Sequence, residues 1–431
     1  MDPIAIATLA VVFITLLLVG VPVAFCLGLA TTATLLLSLD LVPSVTTVAQ
    51  RLAAGLDSFV LLAVPFFILA GQLMNRGGIA RRLVAFAKSI VGVLPGGLAH
   101  VNVVAAMLMG AVSGSAAAAA SAVGGFMGPQ MEKAGYDRPF SAAVNITSST
   151  TGLLIPPSNI LIIYALAGGG LSVGSLFLAG YVPGILVGLC LMGVAALWSH
   201  QHDYPRGDRF SLQEVGRRFL EALPGLLLLV MIIGGIVGGI FTATEAAAVA
   251  VLYALILAFI YGEVTVKELP DILLETVRTT AIVMLLIGTS IALSWVLSYE
   301  HIPQQVSATL IGLTDSIVLT LLIINGILLV VGTFMDMTPA VLIFTPIFLP
   351  VVTELGLDPI HFGIIMVLNL CVGLCTPPVG SILFIGAAVG DTTIARLIWP
   401  LLPFFAAMVT ALLLITYLPE LSLWLPALFG Y

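Results

Sequence analysis

GAVSGSAAAAASAVGG (residues 110–125) and NITSSTTGLLIPPSNI (145–160) stand in the first half of the chain, and GTFMDMTP (332–339) and NLCVGLCTPPVGS (369–381) in the second. The first member of each pair interrupts an apolar stretch, 96–131 and 316–353, too long for one membrane span of ~20 residues. The second member carries a Pro-Pro pair inside a span, 139–167 and 360–390. Non-helical backbone at membrane depth survives only where protein or a wet cavity satisfies its N–H and C=O groups. The two long stretches are therefore expected to be re-entrant helical hairpins with interior tips, and Pro156, Pro157, Pro377 and Pro378 to break their helices. The halves are also related. At an offset of 221 residues Pro129 matches Pro350, Gly135 matches Gly356, Asp137 matches Asp358 and one Pro-Pro pair matches the other, with Asn102 and Asn325 two residues from that register.

Composition agrees with a chain that lives in lipid. Of 431 residues 60% are hydrophobic and 8% charged, against roughly 25% charged in soluble domains, so an all-α polytopic membrane protein is expected. Further spans fall near 4–19, 23–39, 58–75, 175–198, 223–240, 244–262, 278–299 and 397–418. If each hairpin enters and leaves on one side, all of the 14 Lys and Arg residues except Arg51 gather on one face, among them Arg76, Arg81, Arg82, Arg138, Arg206 and Arg209. Basic residues concentrate in cytoplasmic loops, which makes that face cytoplasmic and leaves both termini outside. The first hairpin then enters from the cytoplasm and the second from outside. Such inverted repeats with paired broken helices are an architecture of secondary transporters, whose sites lie at the repeat interface. The amphipathic stretches 76–92 and 302–314 suit helices on the membrane surface; ordinary loops are the other reading.

Several function classes drop out. A net charge of −7 offers no basic field, so no nucleic-acid partner is expected. Cys26, Cys190, Cys371 and Cys375 form no CxxC pair, which indicates neither a disulfide framework nor a zinc site. Without a Walker or HExxH pattern the chain is expected to be no enzyme. The opening Met-Asp-Pro lacks a basic region and a small-residue cleavage site, so the first apolar run reads as a retained span. Glu245, after Thr242 and Thr244, reads as a helix cap, and His200, His202 and Asp203 as a solvated loop.

The chemistry concentrates at the interruptions. Ser113, Gly114 and Ser115 form the first tip, where hydroxyls and freed carbonyls can replace a cation's hydration shell; a small-residue packing face is the alternative. The first Pro-Pro pair frees carbonyls around Thr151, Gly152 and Ile155, unless it makes only a kink. The second tip holds Gly332, Thr333, Asp336, Thr338 and Pro339, facing a break at Gly373 and Thr376. A carboxylate at membrane depth costs ~3 kcal/mol or more unless paired, so Asp336 is a site residue by default, or else a cap of the helix that follows. No Lys or Arg lies in these segments. An anionic substrate would need helix N-termini, hydroxyl and amide donors and bound cations, which favours sodium over protons because Asp336 alone could titrate.

PFFILAGQLMNRGGI (65–79), GAVSGSAAAA (110–119), TGLLIPPSNI (151–160), GTFMDMTPA (332–340) and CTPPVG (375–380) together resemble the large membrane subunit of tripartite ATP-independent periplasmic (TRAP) transporters over essentially the whole chain. The resemblance implies an elevator-type fold: scaffold segments 1–75, 171–299 and 396–431, arm helices 76–92 and 300–314, and a moving domain from 93–170 and 315–395. It implies coupling sodium ions and no cofactor, one ion at Ser113, Gly114, Ser115, Thr151, Gly152 and Ile155, another at Gly332, Thr333, Thr338, Gly373 and Thr376. Ser115, Ser158, Asn159 and Asp336 would face the substrate. The partners implied are a small four-span membrane subunit, a periplasmic substrate-binding protein, membrane lipid and a small organic acid of the C4-dicarboxylate, sialic acid or sugar acid class, in a bacterial inner membrane. A stand-alone sodium/carboxylate symporter of related fold is the alternative.

Overall fold

The computed structural model describes residues 3–202, 204–205, 211–313, 316–377 and 379–431; Asp203, Arg206, Arg209 and Pro378 lie outside the described residues. Among the described residues every extended regular element is a helix. The chain begins with α1 (Pro3–Leu18), α2 (Val23–Leu35), α3 (Leu41–Leu56), α4 (Ala63–Arg76) and α5 (Ile79–Val91). A first set follows: α6 (Gly97–Ser113), α7 (Ala116–Lys133), α8 (Arg138–Thr151), α9 (Asn159–Ala167) and α10 (Val173–Gln201). Then come α11 (Leu212–Val237), α12 (Ala243–Ile260), α13 (Leu269–Tyr299) and α14 (Ile302–Leu313). The second set is α15 (Ile317–Phe334), α16 (Met337–Glu354), α17 (Pro359–Leu374), α18 (Ser381–Val389) and α19 (Ile394–Tyr417), closed by α20 (Glu420–Leu428). Eight helical segments among the described residues are long and apolar enough to cross a membrane. Outward residues such as Val230 and Leu252, 66% and 60% exposed, suit lipid contact.

Both long apolar stretches fold as helix–turn–helix hairpins, and both Pro-Pro spans are broken, the first at 152–158 and the second between Leu374, where α17 ends, and Ser381, where α18 begins. The two halves repeat closely: α7 and α16 lie 221 residues apart at both ends, and so do the first residues of α8 and α17 and of α10 and α19. The arm segments are helical, as α5 and α14. Two helices escaped the sequence reading, the amphipathic α3 and the short α20. At α12 Thr242 and Glu245 form the expected cap, with Glu245 Oε2 accepting from Thr242 N at 2.8 Å and Thr242 Oγ1 from Glu245 N at 3.3 Å.

The first halves of the broken helices are the innermost elements. Every residue from Phe140 to Thr151 and from His361 to Leu374 is buried. The polar run Thr147–Thr151 tolerates this because each hydroxyl donates to a carbonyl three or four residues back on its own helix. In each half the entering hairpin helix is stitched to the broken helix twice, at matching positions. Ser148 Oγ donates to Asn102 Oδ1 at 3.3 Å, and Asn369 Nδ2 to Asn325 Oδ1 at 2.8 Å. Nearer the tips, Gly152 meets Gly110 and Gly373 meets Gly332 backbone to backbone. Asn369→Leu leaves Asn325 without that donor in an apolar interior, a loss of about 1–3 kcal/mol; a lowered midpoint of thermal unfolding in detergent checks it.

A group of rings ties the loop between α7 and α8 to the end of α10. Tyr136 lies 4.4 Å from Tyr204 and Phe140 5.7 Å from Trp198, centroid to centroid, with Phe404 of α19 6.0 Å from Phe140. Burial pushes the Tyr204 phenol up to about 12, so it stays protonated and donates to Asp137 Oδ2 at 2.9 Å. His202 stacks on Trp198 at 4.8 Å.

Candidate functional site

The tips of both hairpins meet in one cavity of about 560 Å³. Ser113, Gly114, Ser115 and Asn159 line it from the first half, and Asp336, Thr338 and Ser381 from the second. Its far wall is the α4 face carrying Ile68, Gln72 and Asn75 and the α13 face carrying Glu275 and Thr279. Thus six of the sequence-derived candidates share one chamber, though 223 residues separate Ser113 from Asp336 in the chain.

The first tip turns within two residues, Gly114 and Ser115. Gly114 sits at φ +61° between α6 and α7, a conformation open to glycine, and a Cβ there would fall 2.8 Å from Asn159 Nδ2. Ser113 Oγ donates to Ser115 O at 3.2 Å, and Ser115 Oγ caps α7 by accepting from Ala118 N at 3.3 Å. Asp336 holds the matching position before α16, but its carboxylate makes no such cap. Pro339, the third residue of α16, has no N–H to give. The carboxylate lines the cavity and interacts with the Met337 N–H at the start of α16 and with the Ser381 hydroxyl.

Behind the tips lie the breaks. Leu153 and Leu154 donate to Thr150 O and Thr151 O at 3.1 Å, tight turns in place of the next helical bonds. Thr151 Oγ1 donates to Ser148 O at 2.5 Å, Thr333 Oγ1 to Leu329 O at 2.9 Å and Thr376 Oγ1 to Val372 O at 2.7 Å. Each of these hydroxyl oxygens keeps lone pairs for a further partner. Gly152 and Gly373 bring these segments against Gly110 and Gly332, at the ends of α6 and α15. Ile155 is half-buried and packs under Gly184 of α10. The donor set is oxygen from hydroxyls, carbonyls and one carboxylate, which fits a hard cation; among the described residues no three His, Cys, Asp or Glu side chains form a metal cluster.

Ser158 departs from expectation. It is fully buried, donates to Leu153 O at 2.5 Å and is absent from the cavity walls, so its hydroxyl staples the break instead of facing a substrate. Conversely, Gln72, Asn75, Glu275, Thr279 and Ser381 went unnoticed. Ile68, Gly71, Gln72 and Asn75 recur at helical spacing on one face of α4, a signal hidden by the apolar residues between them. Asn75 Oδ1 has no hydrogen-bond partner. Glu275 pairs with Arg76 at 2.6 Å, both about half exposed, at one end of the chamber.

Helix N-termini supply positive potential to the cavity, against the carboxylates of Asp336 and Glu275. First-turn residues of four helices line it: Ala116–Ala118 of α7, Asn159 and Ile160 of α9, Met337 and Thr338 of α16, Ser381 and Ile382 of α18. Each N-terminus carries about half a positive charge, although Ala118 N of α7 is taken by Ser115 Oγ and Met337 N of α16 by Asp336. No Lys or Arg is among the described residues of the lining.

A family model described as "Tripartite ATP-independent periplasmic transporter, DctM component" matches residues 10–421. The chain is 54% identical to an uncharacterized protein YgiK of Salmonella typhimurium, over 97% of this chain and 96% of that one. It is 43% identical to the C4-dicarboxylate TRAP transporter large permease protein DctM of Pseudomonas aeruginosa, over 94% of each. Among solved structures it resembles the Alcanivorax borkumensis YdaH transporter, with a TM-score of 0.63, 15% identity and 90% and 89% of the two chains covered, a likeness of fold.

Proposed function

Since this chain belongs to the DctM component family of the tripartite ATP-independent periplasmic transporters, and so is a TRAP large permease subunit, we propose that it imports a small organic anion by sodium symport through the cavity between its hairpin tips. The observation that carries this is the convergence of four helix N-termini and two oxygen-rich tips on one chamber without a fixed basic side chain. Substrate carboxylates take the N-terminal N–H groups, and one sodium ion at each tip–break pair supplies the missing positive charge. The name of the 43%-identical relative favours a C4-dicarboxylate. Asp336 would repel a second carboxylate, so it serves a cation or a substrate hydroxyl.

Each sodium ion gains ~2.3 kcal/mol per 100 mV of inward-negative potential. Two sodium ions with a dianion carry no net charge, so voltage-driven uptake of a dicarboxylate would require a third cation. We place the arginine-rich end in the cytoplasm of a bacterial inner membrane, with both termini periplasmic. The moving body is drawn more widely than the sequence reading has it: α10 and α19 pack on α8, α17 and each other, so they travel with the hairpins against α1–α5 and α11–α14. A small membrane subunit and a periplasmic binding protein complete the system.

The test is uptake into proteoliposomes holding this chain with its small subunit, binding protein outside. Accumulation of C4-dicarboxylate should require an inward sodium gradient and vanish with choline. Uptake that persists without sodium would end the symport reading, and full uptake by this chain alone would favour the stand-alone symporter.

A further inference from the structure

A second cavity, about 250 Å³, lies beside the N-terminal half of α8, between α7 and α18. At its mouth Arg138 bonds to Glu132 Oε1 at 2.7 Å and to Asp391 Oδ2 at 2.5 Å, so one guanidinium faces two carboxylates and one negative charge is left over. Deeper in its walls two oxygens have no partner: Ser141 Oγ and Asn145 Oδ1, on residues 7% and 3% exposed. Asn145 Nδ2 donates to Ala120 O at 2.8 Å, which fixes the amide and leaves Oδ1 an acceptor. A buried acceptor without a donor is costly, and the cavity is large enough to admit water or an ion.

The other repeat has closed the corresponding space. At the 221-residue offset Gly124, Ser141 and Asn145 become Thr345, Phe362 and Met366. Phe362 and Met366 are fully buried, Thr345 Oγ1 donates to Met366 Sδ at 3.3 Å, and the Tyr164 ring fills the room left at Gly363. One fold thus accommodates a dry, packed solution here, and the first repeat departs from it with oxygen-bearing side chains and excess negative charge.

We propose that this cavity is a cation site, taking one partly hydrated alkali cation on Asn145 Oδ1, Ser141 Oγ and the carboxylates at its mouth. For the ion's identity as sodium, it rests on the symport reading. Asn102, also in the lining, accepts from Ser148 one turn below the Thr151–Gly152 break. The site is therefore a stopping place between the first tip–break pair and the arginine-rich surface.

The experiment grafts the second repeat's solution onto the first. The full chain, purified with its small subunit, is unfolded thermally in increasing sodium chloride, with choline chloride holding ionic strength constant. Ser141→Phe/Asn145→Met should raise the midpoint in choline, because it fills a void, and should lose about half of the sodium-dependent rise of wild type. Ser141→Ala and Asn145→Leu read the same loss should the double variant fail to fold. A full sodium-dependent rise in all variants would overturn the cation site and leave the symport reading intact. A wild type indifferent to sodium would overturn both.

Discussion

Gly152→Ala should abolish sodium-dependent uptake by the reconstituted complex, and Gly373→Ala should do the same. A Cβ on Gly152 would lie 2.2 Å from Gly110 Cα, and one on Gly373 2.6 Å from Gly332 Cα. Overpacking commonly costs ~1–3 kcal/mol because side chains shift. Here the obstruction is backbone, so the entering hairpin helix and the broken helix must part. That parting separates the tip oxygens from the break oxygens, and a displacement near 1 Å at such a site is worth about 100-fold. Gly125→Ala, with nothing within 4 Å of its new methyl, should transport like wild type. Uptake measured at matched membrane incorporation decides it; Gly152→Ala with near-normal activity would show that the two segments need not touch.

Asp336→Asn should lower the transport rate at limiting sodium by about 30- to 150-fold, while Ser115→Ala at the matching position costs several-fold. A carboxylate that meets a cation or a hydroxyl contributes roughly 2–3 kcal/mol beyond its amide substitute. The Ser115 hydroxyl is already engaged at the helix start, where its loss costs about 1 kcal/mol. If the carboxylate serves a cation, the deficit of Asp336→Asn shrinks as sodium rises; if it serves the substrate, it shrinks as substrate rises. Wild-type kinetics for Asp336→Asn would remove the residue from the mechanism.

The hairpins, the breaks and the duplication were legible because each rests on residues whose backbone chemistry is restrictive: paired prolines, a Gly-rich tip, an isolated carboxylate. The candidates from Ser113 to Thr338 that meet in the chamber share that origin. The direction of Ser158 is not legible, because a hydroxyl beside a break can turn inward to a freed carbonyl, as it does to Leu153 O, as readily as outward, and spacing does not tell which. Gln72, Asn75 and Thr279 were hidden for a different reason. They sit on regular helices, where nothing local marks a polar residue as facing a chamber rather than a neighbouring helix. The α10 and α19 packing was likewise out of reach, since a uniformly apolar helix carries no label for the body it joins.

The ring cluster around Tyr136, Phe140, Trp198 and Tyr204 bears on how the machine is geared. It clamps the turn that leads into the first broken helix to the far end of a 29-residue helix. Any movement of the first broken helix must carry that long rod with it. The hairpin helices α6 and α16, which pack on α4, α5, α13 and α14, are then the surfaces along which the two parts of the molecule meet.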